Sequence, residues 1–314
     1  MNADFELELA ALPGAYRPKP TIERRNARLE PVLVWLASRG DAIVTREAWP
    51  EDRRARAAAA GVQLLPLDAI AGNGAGCRFV PWGWTPRTLA LAESAGASVD
   101  APQINVVRRV NSKFFSHAIE MELGIAVRGA TTARSIEELD DAVSRSCPGA
   151  NDKWVVKGAL GFNARERVLG RGPRLDSASA TWVKRRFARG DELLFEPWLD
   201  VVREYGVQME IGRDCSVKIH GISHMRTNGA GVTTGFVLGE SVGAAQREQL
   251  ERVAREVAAR LVAAGYFGPA NVDAIEHARG LRPLVEINAR LTMGAVALAV
   301  ERHLKPSSPV IWSP

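Results

Sequence analysis

The chain has 314 residues, 46% hydrophobic and 25% charged, with a formal net charge of +5 from 41 basic and 36 acidic side chains. That length suits roughly two domains and a core large enough to fold without a disulfide or structural metal. No Lys/Arg run is long enough for a nucleic-acid footprint, no apolar stretch approaches the roughly 20 residues that span a bilayer, and residues 1–10 lack the basic and apolar regions of a signal peptide.

Residues 1–30, broken by Pro13, Gly14, Pro18 and Pro20, are expected to form an irregular arm. The continuous apolar run 31–37 predicts a buried strand. Two more strands, Ala42–Thr45 and 62–67, flank an Arg- and Ala-rich helix over Glu51–Ala60. Residues 78–84 read as another strand. Residues 85–95 read as a helix with Thr85 at the N-cap and Pro86 at N1. This alternation predicts an open α/β domain over 1–105. The stretch Gly72–Gly76 lacks the strand–helix context of a dinucleotide fingerprint. The Trp82–Trp84 pair fits either a cleft wall or core packing, the latter being favoured.

A second unit is drawn over 106–190. It holds a helix over 111–123 stopped by Gly124 and a helix over 135–146 with Ser135 and Glu138 in capping-box spacing. A strand over 153–159, its partner over 167–170, and a helix over 177–189 closed by Gly190 complete it. A third unit, 191–314, reads as a mostly antiparallel sheet with strands over 192–195, 205–211, 216–223 and 236–238. A long amphipathic helix over 244–264, two strands over 270–275 and 284–287 around a turn at 277–280, and a last helix over 292–303 follow.

The three cysteines, Cys77, Cys147 and Cys215, are odd in number and fit no metal spacing. They read as reduced thiols of a cytoplasmic protein.

The chemistry-bearing residues gather near the C-terminus. Residues two apart in a strand share a face, so Glu286, Asn288 and Arg290 project together, and Asp273 on the neighbouring strand reaches the same face. Two carboxylates and an amide oxygen suit Mg²⁺, which takes a few carboxylates and completes its shell with water and phosphate oxygens. Lys157, ending an apolar strand, can serve as a point charge on a phosphate. Pro197 ends the strand that carries Glu196, and the backbone freed there can read an adenine edge. Arg226 and Arg290 are candidates to hold a carboxylate. His220 and His224 share a strand face and are assigned to the sheet surface. Residues 228–231 carry the glycines of a mobile lid.

In order and spacing, Lys113, Lys157, Glu196, Glu204, Asp273 and Glu286-Ile-Asn288 resemble the ATP-grasp superfamily, which includes D-alanine–D-alanine ligase and biotin carboxylase. The resemblance covers roughly 105–303. Its most specific parts are Asn271-Val-Asp273 and Glu286-Ile-Asn-Ala-Arg290. It implies an N-terminal α/β domain followed by two α+β subdomains that clasp ATP. It also implies an ATP- and Mg²⁺-dependent ligase that phosphorylates a carboxylate and passes the acyl phosphate to an amine, releasing ADP and phosphate. Lys113 and Lys157 would contact the ATP phosphates. Glu196 would take the adenine amino group, beside hinge backbone at Trp198 and Leu199, and Glu204 would bind the ribose. Asp273, Glu286 and Asn288 would hold two Mg²⁺ ions, or Mn²⁺. Arg290 would face the transferred phosphoryl group or the substrate carboxylate. The implied partners are small-molecule carboxylate and amine substrates, amino acids among them, with no nucleic acid or membrane and, by analogy alone, a homodimer. The loop 158–165 has only two glycines, so Asn163 and Arg165 would supply contacts that a glycine-rich phosphate loop makes with backbone. Alternatives on the same scaffold are a small-molecule kinase and a non-catalytic nucleotide-binding protein.

Overall fold

In the computed structural model, which describes residues 1–12, 14–161, 166–228 and 232–314, the chain begins with two helices, α1 (Phe5–Ala10) and α2 (Pro20–Leu29). The irregular arm suggested by the prolines is corrected here. Phe5 and Leu9 stand one helical turn apart and are both buried, and Pro20 occupies N1 of α2, where its missing N–H costs nothing. The apolar run 31–37 is a 3-10 helix (Glu30–Trp35) and not a strand. Val32 and Val34 are buried in two separate clusters, and a short apolar run alone does not distinguish a strand from a buried helical turn.

Strands β1 (Ala42–Thr45) and β2 (Gln63–Pro66) pair in parallel, joined through α3 (Glu51–Ala60). They form the whole of the N-terminal sheet among the described residues. Helix α4 (Pro86–Ala95) starts at Thr85 as expected, with Thr88 completing a reciprocal cap. Residues 78–84 form no strand and make only an isolated bridge, Arg78 to Ser98. The apolar content is used by Trp82, which packs with Phe236 and Val296 of the C-terminal half.

Helices α5 (Ile104–Val110) and α6 (Lys113–Glu122) lead into the second region. There β3 (Thr131–Ala133), α7 (Ile136–Ser146), β4 (Lys153–Lys157), β5 (Arg167–Arg171), α8 (Ser177–Phe187) and β6 (Leu193–Pro197) follow in order. The sheet runs β3-β6-β4-β5 with antiparallel neighbours. Strand β6 thus belongs to this sheet although it lies beyond residue 190. Ser135 caps α7 through the Glu138 N–H, but the Glu138 carboxylate reaches one residue further back, to the Arg134 N–H. The core unites Leu139, Val143, Trp154, Val156, Val183 and Phe195. The Trp154 ring packs against Gly170, where an added Cβ would overlap it. Gly170→Ala is therefore expected to destabilise the protein by about 1–3 kcal/mol through overpacking, read as a lowered midpoint in urea. An unchanged midpoint would remove this packing constraint.

The third region contains β7 (Val201–Ile211), β8 (Val217–Thr227), β9 (Thr233–Leu238), α9 (Ala244–Ala263), β10 (Gly268–His277), β11 (Gly280–Asn288), α10 (Met293–Leu304) and β12 (Val310–Trp312). Its six-stranded antiparallel sheet runs β11-β10-β7-β8-β9-β12. Leu250, Val253, Val257 and Leu261 of α9 pack on Val207, Met209, Val272 and Ile287, each contributing roughly 1.5–3 kcal/mol when fully buried. With that face covered, alternation sends Glu204, Gln208, Asn271, Asp273, Glu286 and Asn288 to the other face. Strand β12, which carries no pattern beyond three residues, went unforeseen, as did α5 and β3. Among the described residues, no helix is long and apolar enough to cross a membrane. The three cysteines form no disulfide.

Candidate functional site

A cleft of about 1210 Å³ opens against this free face. Its lining includes Lys113, Lys157, Glu196, Trp198, Leu199, Glu204, Arg226, Asp273, Glu286, Asn288 and Arg290. These candidate residues from the sequence therefore meet in one place, on or just beyond α6, β4, β6, β7, β8, β10 and β11. The loop residues Asn163 and Arg165, and positions 229–231 of the expected lid, lie outside the described residues.

Asp273 and Glu286 are direct partners across β10 and β11, as are Asn271 and Asn288. Asn271 donates to one Asp273 oxygen at 2.6 Å and Asn288 donates to the other at 2.8 Å. Burial and the facing Glu286 carboxylate nevertheless push the Asp273 carboxyl up to about 7. Asp273 is thus held beside a second acid in a site that does not fully compensate its charge. A cation resolves that conflict, since a nearby opposite charge favours both carboxylates. Among the described residues no group of three or more His, Cys, Asp or Glu gathers for a metal. The donor set here is two carboxylates and an amide, which fits Mg²⁺, an ion that leaves several positions to water and phosphate oxygens.

Lys113 is the first residue of α6, and its ammonium meets Glu286 at 2.5 Å. Its backbone N–H bonds to Ala159 O at 2.9 Å, tying this helix start to the chain that leaves β4. Lys157 meets Glu196 at 2.5 Å. Glu196 also takes Arg282 at 2.6 and 3.3 Å, and Arg282 in turn takes Glu120 at 2.8 and 2.9 Å. Burial alone would raise the Glu196 carboxyl, but Lys157 and Arg282 overcome it and hold the group well below the usual carboxylate range. The Glu196 carboxylate therefore faces two cations. The Trp198 N–H is bonded to Lys153 O at 2.8 Å. Glu204 accepts from Thr227 at 2.5 Å, and burial raises its carboxyl against the opposing pull of Thr227 and Arg167.

Arg290 is engaged by a residue the sequence did not suggest. Its guanidinium pairs with Glu6 of α1, at 2.7 Å through Nε and again through Nη2, and donates to Asn288 at 2.9 Å. Glu6 lies in the segment first read as an arm. Arg226 is exposed on β8 opposite Gly235. His224 corrects another expectation: it is 6% exposed, not on the sheet surface. Its ring meets Tyr205 edge-on at 5.1 Å and its Nδ1 lies 3.2 Å from Glu240. Trp82 is both core and cleft wall.

Arg282, Glu120, Gln208, Thr292 and Glu6 complete the surroundings and were missed. One signal was present. Pro283 inside an apolar strand points to an edge strand or a bulge, and the β10–β11 register does shift between Asp273 and Ile275. That shift brings Arg282 opposite Ile275.

No family model matches this chain, and no curated protein matches it. Solved structures do. Biotin carboxylase from Campylobacter jejuni, in a β-γ-ATP complex, superposes with a TM-score of 0.58 at 14% identity, over 82% of this chain and 61% of that one. D-alanyl-alanine synthetase A from Vibrio cholerae gives 0.53 at 14% identity, over 74% and 73%. N5-carboxyaminoimidazole synthetase from Staphylococcus aureus, complexed with ADP, gives 0.51 at 11% identity, over 82% and 72%. At these identities the likeness is one of fold.

Proposed function

From the ATP-grasp fold, which this chain adopts, we propose that the protein is an ATP- and Mg²⁺-dependent ligase that activates a small-molecule carboxylate as an acyl phosphate and joins it to an amine. The observation that carries this reading is the cross-strand pair Asp273 and Glu286, with Lys113 at 2.5 Å from Glu286. Phosphoryl transfer depends on alignment and charge neutralisation more than on a protein nucleophile, and the cleft is furnished with charge.

In this reading Asp273, Glu286 and Asn288 hold the divalent cations, which neutralise charge on the transferred phosphoryl group. Lys113 bridges that carboxylate to the nucleotide phosphates. Lys157 reaches the phosphates as well, and Glu196, which faces two cations, orients it. The adenine amino group then goes to main-chain atoms around Trp198 and Leu199, and the ribose hydroxyls to Glu204. Arg290, fixed by Glu6, and Arg226 flank the carboxylate to be activated. The N-terminal helices close that end of the cleft, and we divide the chain after the first hundred or so residues and again just beyond β6.

The test is ADP and phosphate release from Mg²⁺–ATP across carboxylic and amino acids, singly and in pairs, with mass spectrometry of products. Turnover that needs an acid–amine pair and yields a condensed product supports the ligase. A stable phosphorylated product with no amine requirement indicates a kinase, and nucleotide binding without turnover a regulatory protein. Lys157→Ala is expected to raise the ATP KM or lower kcat by roughly 10²-fold, the scale of one preorganised charge. Unchanged ATP kinetics would take Lys157 out of the site.

A further inference from the structure

Behind Asp273 lies a line of buried polar side chains with a single direction. Thr292 Oγ1 donates to Gln208 Oε1 at 2.8 Å. Gln208 Nε2 donates to Asn271 Oδ1 at 2.6 Å. Asn271 Nδ2 then donates to Asp273 Oδ1 at 2.6 Å. Each amide has one donor end and one acceptor end, so the ionised carboxylate, which can only accept, sets the sense of every bond back to the hydroxyl. Gln208, Asn271 and Thr292 line the cleft but are only 4%, 2% and 8% exposed.

Three further features show that the line is maintained at some cost. Thr292 occupies the N-cap of α10, a position where Thr ordinarily accepts from the first turn, yet it makes no side-chain cap. Its hydroxyl is turned to Gln208. Gly294, the second residue of that helix, leaves the room in which the Gln208 amide and the Ser223 hydroxyl sit, and a Cβ there would strike both. Gly206, opposite Asp273 on β7, does the same for Asn271, Gln208 and Ser223.

We propose that Thr292, Gln208 and Asn271 form a positioning relay that fixes the Asp273 carboxylate for a divalent cation and couples it to the start of α10. With Asn271 on one oxygen and Asn288 on the other, the carboxylate plane is set from both sides. Lone pairs remain on each oxygen for a cation, because a carboxylate offers about four acceptor sites. The relay rests on the ligase reading in one respect only, that Asp273 meets a cation.

The test separates the two. ADP affinity is measured by calorimetry in excess Mg²⁺ and in EDTA, and the ratio of the two reports the cation's hold on the protein carboxylates. Thr292→Val and Gln208→Leu should each lower that ratio roughly tenfold, the lower end of the effect known for residues that orient metal ligands, while leaving the EDTA affinity unchanged. Ser223→Ala, which touches Gln208 but stands off the line to Asp273, should leave the ratio as it is. Thr292→Val removes a single hydroxyl and decides the matter if Gln208→Leu fails to fold. A wild-type ratio in folded Thr292→Val overturns the relay, provided Asp273→Asn lowers it. If Asp273→Asn also leaves the ratio unchanged, or wild-type protein takes up no ADP, the cation site itself is wrong and the relay falls with it.

Discussion

Glu286→Gln is expected to cut ADP release from Mg²⁺–ATP by roughly 10²–10³-fold, the scale on which preorganised charge at a reacting centre acts, without loss of fold. The substitution keeps the shape and an acceptor for Lys113 at 2.5 Å, but removes a full charge from the pair that faces Asp273 across the hairpin. In EDTA this should if anything favour the folded state, because the like charge that helps push the Asp273 carboxyl up to about 7 is gone. The sign follows from linkage: relieving that repulsion removes a penalty on the ionised folded form at neutral pH. Lost turnover with an equal or higher Tm in EDTA therefore marks a cation site. Full activity at saturating Mg²⁺ would remove Glu286 from the chemistry. A fall in Tm would show that the ion pair with Lys113 outweighs the repulsion from Asp273.

The parts of the molecule legible in the sequence are those where period and punctuation agree. Strand β11 could be read because Glu286 and Asn288 alternate with buried Ile287 and Ala289, and α4 because Thr85, Pro86 and Gly96 mark both of its ends. The N-terminal region was misread where one pattern serves two structures. Proline marks a break at Pro18 and a helix start at Pro20, and the run 31–37 satisfies either a strand or a 3-10 helix buried on two sides. The site divided in a similar way. Residues that point into the cleft share a strand parity and could be paired by counting. Those that hold them are linked across long separations: Glu6 to Arg290, Glu120 to Arg282, Thr292 to Gln208. No local period encodes such contacts. A proline at 283 and an arginine beside it were the only trace of the buried cluster around Glu196.

That cluster should give the largest stability effect in the molecule. Arg282 is 6% exposed and lies between Glu120 at 1% and Glu196 at 2%. It carries four hydrogen bonds to them. Removing one partner of a buried ion pair strands the other charge, at about 3–5 kcal/mol, and here two carboxylates lose their guanidinium while only Lys157 still faces Glu196. Arg282→Met, chosen to keep apolar volume, should therefore lower stability at pH 7 by about that amount or more. The pH dependence identifies the cause. In the wild type the Glu196 carboxyl is held below its ordinary 4.5, so its contribution is complete above that value and is lost as pH falls through the depressed folded one. In Arg282→Met only Lys157 opposes burial at Glu196, so the stranded carboxylate charge is held less firmly and its penalty is relieved as pH falls. Urea unfolding of both proteins at pH 7 and pH 5 should show the gap between them narrowing toward acid. A gap independent of pH would assign the loss to packing and not to stranded charge. Because Glu196 also pairs with Lys157, the proposed phosphate contact predicts that the same variant weakens ATP binding under conditions where it remains folded. The ion cluster that holds the subdomain sheet against β11 and α6 would then also set the position of Lys157, the lysine we propose to contact phosphate.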